Sequence, residues 1–343
     1  MITGHAGIIL GTSNMDEAKR FISDFGLQEK HADKNSVTYL LEEGSTVTLK
    51  SSDDPSLPPP LGTDVGVREI CWGVDTQDAL DELEANLSRD LEVSKDSDGS
   101  ISFIDPSGIA TQIKVFQRTP VLYCPEPLNA PDAIRRLGTR RRWRRRAHPK
   151  VIQHVVYVVD DALEAARFYM HRLNFRLTDI NRNVGYFLRA EGISEHHSIF
   201  FLNKGSVPGS ETPRPDHVSF GVEDIDEMMA GAMHMQRSGW KKTMGPGRHR
   251  IGSALFYYLK TPFGIEFEYD TDNDHLDDHW IPHEWETRFG MINWVAGDLP
   301  PFWREEPEWE YKAVPADHPI YEPYPVKLRE ANSESAGTGK SKT

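Results

Sequence analysis

The chain has 343 residues, of which 38% are hydrophobic, and its 53 acidic and 39 basic residues give a formal net charge of −14. This length is sufficient for two domains with buried cores. The acidic balance argues against general nucleic-acid binding, which requires Lys and Arg to neutralise phosphates. No apolar run of about 18 residues predicts a membrane-spanning helix.

The cysteine content and the N-terminus bear on the cellular compartment. Cys71 and Cys124 form neither a disulfide framework nor a CxxC motif. The first residues contain a short apolar segment with no preceding basic region and no small-residue cleavage site, so we interpret them as a strand and not as a signal peptide. We therefore expect a cytoplasmic protein.

An internal repeat organises the chain. The segments 4–10 and 16–21, a predicted strand and the start of a helix, recur at 153–159 and 164–169. Two further segments recur in the same order and with nearly the same spacing: 68–75 at 216–223, and 105–112 at 261–268. This repeat predicts an α+β protein with two domains, each made of two paired βαβββ modules, and four modules in all. In this alignment His154 corresponds to His5, His217 to Glu69 and Glu268 to Gln112.

Local patterns predict the elements of the second half. Capping boxes at 161–164 and 224–227 each predict the start of a helix, and the first helix extends to about Leu173. Two apolar runs, 254–259 and 265–269, flank the turn Thr261-Pro262-Phe263-Gly264, so this region is predicted to be a β-hairpin.

Composition predicts the domain limits. We assign residues 1–146 to the first domain, 147–272 to the second, 273–330 to an acidic, aromatic extension and 331–343 to a disordered tail. The Arg-rich segment 135–146 is interpreted as a linker that pairs with acidic surface, with nucleic-acid binding as the minor alternative. The extension is expected to wrap either the second half or an oligomer interface.

Three residues on separate predicted strands of the second half suggest a metal site. His154, His217 and Glu268 make two imidazoles and one carboxylate, the ligand set of a non-haem Fe(II) site with open positions. A lone His on an apolar strand is more often a core residue, and it is the combination of the three that favours ligation. Glu266 shares a strand face with Glu268 and is the alternative carboxylate.

The repeat provides an internal control for this site. The His/Glu/Gln set of the first half lacks the second imidazole, so we predict a structural domain whose metal site has been lost; binding of a harder metal there is the alternative. His275, His279 and His283 have helical spacing, and a second metal site at them is the alternative to a wet acidic loop.

The second half resembles the type I extradiol ring-cleaving dioxygenases of the vicinal oxygen chelate (glyoxalase/bleomycin-resistance) superfamily, which include catechol and dihydroxybiphenyl 2,3-dioxygenases. One His begins each module of the pair and a Glu lies on the last strand. Tyr258 stands ten residues before Glu268, His249 nine residues before Tyr258, and His197 matches a further family His. Ile251-Gly252 stands where many biphenyl-type members have Asn-Asp.

The resemblance implies the vicinal oxygen chelate fold and an Fe(II)-dependent enzyme, with Mn(II) as the alternative metal. It would act on a small aromatic diol and O2 and cleave the ring next to the diol. His154, His217 and Glu268 would hold the metal, Tyr258 and His249 would contact the substrate oxygens, and His197 would act as acid and base. The resemblance also suggests a homo-oligomer. The alternatives are a hydroquinone-cleaving or glyoxalase-like enzyme, and a non-catalytic binding protein of this fold.

Overall fold

The computed structural model describes residues 1–298 and 301–326. The tail predicted to be disordered, 331–343, lies outside these residues. Within them the chain forms two large sheets with helices packed on them, which confirms the α+β prediction. No helix of the described part is long and apolar enough to cross a membrane.

The first half forms an eight-stranded sheet from two βαβββ modules, in the order β2-β3-β4-β1-β5-β8-β7-β6. The first strand of each module lies at the centre, and these two strands run antiparallel. The elements are β1 (Ile2–Thr12), α1 (Met15–Phe25), β2 (Gln28–Ala32), β3 (Ser36–Leu40), β4 (Thr46–Ser51), β5 (Gly66–Val74), α2 (Gln77–Leu87), β6 (Ser94–Lys95), β7 (Ile101–Ile104) and β8 (Ala110–Val115).

The second half repeats this architecture in an eleven-stranded sheet, in the order β18-β14-β15-β16-β13-β9-β12-β11-β10-β17-β19. Its modules account for eight of the strands, so the four predicted modules are present. The module elements are β9 (Val151–Val159), α3 (Ala162–Leu173), β10 (Arg176–Asn181), β11 (Gly185–Arg189), β12 (Ile199–Asn203), β13 (Arg214–Gly221), α4 (Ile225–Arg237), β14 (Lys242–Arg248), β15 (Leu255–Lys260) and β16 (Glu266–Thr271).

Helix starts and the hairpin follow the sequence signals. Asp161 and Asp224 are the N-caps of α3 and α4, and each side chain accepts a hydrogen bond from the backbone N–H three residues later. The strands β15 and β16 pair antiparallel around the predicted turn. The halves pack together through aromatic side chains: Phe25 of α1 stacks on Tyr269 of β16, with ring centroids 4.2 Å apart.

The connector between the halves, residues 119–146, ends in the Arg-rich segment, and this segment pairs with acidic side chains around the N-terminus of α4. Arg144 Nη2 lies 2.5 Å from Glu223 Oε2, and Arg142 bonds the other carboxylate oxygen of Glu223. Arg141 pairs with Asp226. The predicted pairing of this segment with acidic surface is therefore confirmed.

The C-terminal extension adds strands to both edges of the second sheet. β17 (His283–Trp285) pairs with β10, and β18 (Trp294–Val295) pairs with β14. The other extension elements are α5 (Thr287–Gly290), the 3-10 helices Pro301–Arg304 and Pro319–Tyr321, and β19 (Tyr311–Ala313) on β17. Of the two predicted positions for the extension, the structure shows the one around the second half.

Strand register corrects one correspondence of the repeat. On the second sheet His154 pairs with Ser219, whose counterpart in the first half is Cys71, and Cys71 pairs with Gly7. The counterpart of His154 is therefore Gly7, and the alignment of His154 with His5 was wrong by two residues. The shift escapes a sequence comparison because both strands are apolar, and a two-residue slip preserves the alternation of their faces.

Candidate metal centre

The three predicted ligands converge at the centre of the second sheet. His154 on β9, His217 on β13 and Glu268 on β16 stand on three neighbouring strands. His154 Nε2 lies 3.3 Å from His217 Nε2 and 3.2 Å from Glu268 Oε2, and His217 Nε2 lies 3.7 Å from that same oxygen. Ligands at right angles around one ion, each about 2.1 Å from it, stand about 3 Å apart. This geometry suits three ligands on one face of a single ion.

The buried groups of this cluster suit a divalent cation. Both carboxylate oxygens of Glu268 are buried, and neither makes a hydrogen bond of normal geometry within the described residues. Burial, and secondarily the charge of His217, hold the pKa of His154 well below its usual value, so the imidazole is in its neutral, metal-binding form. A buried unpaired carboxylate is costly unless a cation compensates it. The residues therefore fit an Fe(II) or Mn(II) ion.

A β-bulge orients His217. Pro215 pairs with Tyr157 and His217 pairs with Val156, the next residue on β9. Asp216 is therefore the extra, unpaired residue of β13. This bulge brings the Asp216 side chain beside its neighbour, and Asp216 Oδ2 accepts a hydrogen bond from His217 Nδ1 at 2.9 Å. Burial opposes protonation, but the hydrogen bond and charge of Asp216 outweigh it and raise the pKa of His217. The contact leaves Nε2 facing the other two ligands.

Tyr258 and His249 form a hydrogen-bonded pair beside the cluster. His249 Nδ1 donates to the Met291 carbonyl at 2.7 Å, which leaves Nε2 as an acceptor 3.2 Å from the Tyr258 hydroxyl. Burial lowers the pKa of His249 and raises that of Tyr258. Tyr257, its neighbour on the strand, faces the other side and bonds Gln236 of α4. Strand alternation therefore separates the two tyrosines as the sequence predicts.

His197 stands at the end of a buried polar chain. Its Nδ1 lies 3.1 Å from His196 Nδ1, and His196 Nε2 lies 3.0 Å from Asp179 Oδ2. Because the carboxylate accepts the His196 Nε2 proton, His196 Nδ1 is the acceptor for the His197 Nδ1 proton, and His197 Nε2 is left unprotonated. The His197 ring lies 4.1 Å from that of His154, centroid to centroid. The sequence predicts only a structural role for His196, but this residue also fixes the tautomer of His197.

An apolar cavity of about 150 Å³ opens onto these side chains. Its walls come from β9, from the strands β11 to β16 and from the extension, which contributes Met291, Ile292 and Trp303. Glu266, the alternative carboxylate, lines the cavity, but the three-ligand group contains Glu268. The cavity residues are His154, Val156, Phe187, His197, Phe200, Leu202, Val207, Asp216, His217, Met244, His249, Ile251, Ala254, Tyr258, Glu266, Met291, Ile292 and Trp303.

The other histidine cluster of the sequence does not converge. His275 bonds the Ser194 hydroxyl at 2.8 Å, His283 belongs to β17, and no helix joins them. Within residues 1–298 and 301–326, the one group of His, Cys, Asp and Glu side chains able to hold a metal is His154, His217 and Glu268. The second metal site considered for His275, His279 and His283 is therefore not formed.

Comparison with known proteins gives a family match for the second half of the chain. Residues 151–269 match the family described as the Glyoxalase/Bleomycin resistance protein/Dioxygenase superfamily. The match covers most of the second half of the chain and confirms the resemblance seen there in the sequence.

Two curated relatives and one solved structure are similar to this chain. Metapyrocatechase 2 of Cupriavidus necator is 28% identical over 236 residues, which cover 68% of this chain and 72% of that protein. The iron-dependent extradiol dioxygenase of Rhodococcus jostii (strain RHA1) is 31% identical over 144 residues, 38% of this chain and 46% of that protein. The Mn(II)-bound glyoxalase from Novosphingobium aromaticivorans shares the fold, with a TM-score of 0.68 at 22% identity over 90% of this chain and 96% of that one.

Proposed function

We propose that the chain is an Fe(II)-dependent extradiol dioxygenase, which inserts both atoms of O2 into a catechol-type diol and cleaves the ring next to the diol. The observation that carries the proposal is the convergence of His154, His217 and Glu268 on one point with two unpaired carboxylate oxygens. Relatives named metapyrocatechase and iron-dependent extradiol dioxygenase support the same activity. Mn(II) is the alternative metal.

The metal-binding residues belong to the predicted catalytic domain, 147–272, and residues 1–146 form the domain without a working metal site. When bound, the Fe(II) ion supplies Lewis acidity toward the diol and the redox chemistry of dioxygen. The protein supplies two imidazoles, one anion and an apolar cavity that excludes water from the reacting ring.

Tyr258 and His249 are placed to remove a proton from the substrate. The Tyr258 oxygen faces the cavity and its hydroxyl proton is directed at His249 Nε2. A diol hydroxyl that donates to this oxygen gives its proton to Tyr258 while the Tyr258 proton moves to His249 Nε2, so the substrate oxygen becomes anionic and His249 becomes protonated. The neutral state of His249, favoured by its lowered pKa, keeps that nitrogen available.

His197 lies on the other side of His154 and is assigned acid and base duties during oxygen insertion. Its Nε2 lone pair is left unengaged by the Asp179–His196 chain, so it can take up a proton and return it. Phe187 packs edge-on against the ring, with centroids 5.0 Å apart, and holds its plane.

The direct test is metal loading followed by turnover. Protein reconstituted with one equivalent of Fe(II) under anaerobic conditions is mixed with catechol and then exposed to O2. We expect a yellow ring-opened product and O2 uptake equal to substrate consumed. His217→Ala should lose both metal and turnover, whereas His275→Ala, outside the cluster, should keep both.

The rival functions give different results in the same experiment. A glyoxalase-like isomerase would consume no O2, and a binding protein would hold a diol without product. A hydroquinone-cleaving enzyme would prefer the para-diol over catechol. The fold shared with a Mn(II)-bound glyoxalase does not separate these classes, and the O2 balance does.

We also infer a homo-oligomer held partly by the connector. The connector, residues 119–146, contains eight arginines and two acidic residues in a chain whose net charge is −14. It exposes large apolar side chains, Trp143 at 87%, Leu122 at 84% and Leu137 at 82%. A basic, apolar surface suits the acidic surface of a second copy. The mass in solution tests this: Leu137→Ser/Trp143→Ser should shift the protein toward monomer, and an unchanged mass would contradict it.

The cellular location completes the proposal. Cys71 and Cys124 are free thiols, one buried and one exposed, which agrees with the reducing cytoplasmic compartment expected from the sequence.

A further inference from the structure

Two buried polar groups with unsatisfied hydrogen bonds face each other directly behind the metal centre. His154 Nδ1 has no hydrogen-bond partner within the described residues, and the same is true of Asp270 Oδ1. The other oxygen of this carboxylate, Oδ2, lies 3.8 Å from His154 Nδ1. Both side chains are buried: His154 is 4% exposed and Asp270 0%. Buried polar groups of this kind are rare and call for a partner.

Metal binding itself creates the missing donor. A neutral imidazole that ligates through Nε2 carries its proton on Nδ1, so His154 acquires a buried N–H that needs an acceptor. We propose that Asp270 is that acceptor: a positioning residue whose carboxylate takes the Nδ1 proton of His154 and fixes the ring on the metal. This inference rests on the metal centre proposed above.

The residues around Asp270 orient its carboxylate toward His154 Nδ1. It is the counterpart, for His154, of the carboxylate behind His217, where Asp216 Oδ2 lies 2.9 Å from Nδ1. Asn273 Nδ2 donates to Asp270 Oδ2 at 3.2 Å and holds the carboxylate orientation. From 3.8 Å, a movement of somewhat under 1 Å brings the pair to hydrogen-bond distance. Asp270 lies two residues beyond Glu268 on β16, so one strand supplies both a ligand and the support of another ligand.

Asp270 also increases the negative charge that the metal compensates. Asp270 and Glu268 are two wholly buried carboxylates on the same face of β16. No arginine or lysine forms an ion pair with either of them within the described residues. Replacing Asp270 by Asn therefore removes a repulsion from the metal-free protein while weakening the metal-bound one. A merely structural residue would not change the two states in opposite directions.

The test measures Mn(II) affinity, by the EPR signal of free Mn(II), and the unfolding temperature of the metal-free protein. Asp270→Asn should weaken Mn(II) binding about 10–100-fold, the range for loss of a carboxylate behind a ligating His. Its metal-free form should unfold at the wild-type temperature or above. Asp216→Asn should weaken binding at least as much. The matched control is Asp272→Asn, which breaks only an ion pair with Arg248 at the surface and should leave the affinity unchanged.

Two results would overturn the inference. Equal Mn(II) affinity in wild type and Asp270→Asn would remove the carboxylate from the centre, and a fall in the metal-free unfolding temperature together with affinity would make its role structural. Ser219→Ala checks the neighbouring hydroxyl: if it weakens binding and Asp270→Asn does not, the serine is the acceptor. Absence of stoichiometric Mn(II) and Fe(II) from the wild type would instead overturn the proposed function, and this inference with it.

Discussion

The two halves of the chain share one topology, but among the described residues only the second half brings together side chains able to hold a metal ion. Register equates His154, His217 and Glu268 of the second sheet with Gly7, Glu69 and Gln112 of the first. In the first half Gln112 is satisfied within the protein, since Cys71 Sγ donates to its Oε1 at 3.2 Å and its Nε2 donates to Asp96. Glu268 has no such partners. The fold provides the position, and the side chains decide whether a cation is needed there.

Equivalent β-bulges have different roles in the two sheets. Arg68 occupies the bulge of β5 that corresponds to Asp216 on β13. Arg68 uses it to bond the backbone carbonyls of Ser52, Asp64 and Pro58, which fastens the surrounding loops. Asp216 uses it to orient a histidine. A bulge re-aims one side chain of a strand, and here it serves loop packing in one half and ligand orientation in the other.

The largest expected loss of metal affinity comes from replacing Glu268 by glutamine, the residue at the corresponding position of the first half (Gln112). Glu268→Gln removes the one anionic ligand, so Fe(II) affinity should fall by more than about 100-fold, since a ligand matters more than the groups behind it. Catechol turnover should vanish with it. Iron content after gel filtration and product absorbance measure this. Glu266→Gln is the matched control and should retain the metal. If Glu266→Gln loses the metal and Glu268→Gln retains it, Glu266 is the ligand.

A second replacement by the first-half residue tests the acid and base role. His197 stands two residues before Ile199 of β12, as Ser45 stands two residues before Val47 of β4, and these strand residues correspond by register. His197→Ser should lower kcat about 10²–10⁴-fold and leave Fe(II) content unchanged. Single-turnover kinetics with catechol measure it. A loss of metal in this variant would make His197 a support of the centre and not a proton carrier.

The opposite exchange, from second half to first, should fail for a steric reason. A Cβ at Gly7 would lie 2.7 Å from Thr46 Oγ1 and 2.8 Å from the Thr46 carbonyl oxygen, which is backbone and cannot turn away. Gly7→His/Glu69→His/Gln112→Glu should therefore add no second metal and should cost about 1–3 kcal/mol of stability. Metal stoichiometry and the unfolding midpoint check this. Binding of two ions per chain would show that the first half lost only side chains.

The sequence alone was sufficient to predict the modules and to group the three metal ligands, because both predictions depend on local periodicity. The capping boxes at Asp161 and Asp224, the hairpin and the face of Tyr258 follow from spacing within one element. The bulge at Asp216, the position of Asp270 beside His154 and the correspondence of Gly7 with His154 depend on how two strands pair. A two-residue slip in that pairing leaves the face pattern of both strands unchanged, so these contacts required coordinates.

The smallest expected effect concerns the connector, which is bound to the second half by charge. Burial alone would raise the pKa of Glu223, but hydrogen bonds from Arg144, the Cys124 backbone and Arg142 lower it from 4.5 to about 2. A lowered carboxyl pKa means that its stabilising contribution is complete above about pH 4.5 and disappears as the pH falls toward 2. Glu223→Gln should therefore lower Tm by a few degrees at pH 7, and the difference from wild type should shrink below pH 4.5. Glu126→Gln, which removes one ion pair with the half-exposed Arg142, should cost less. A difference for Glu223→Gln that persists unchanged at pH 2 would assign the effect to packing, and the connector would then be held by shape and not by charge.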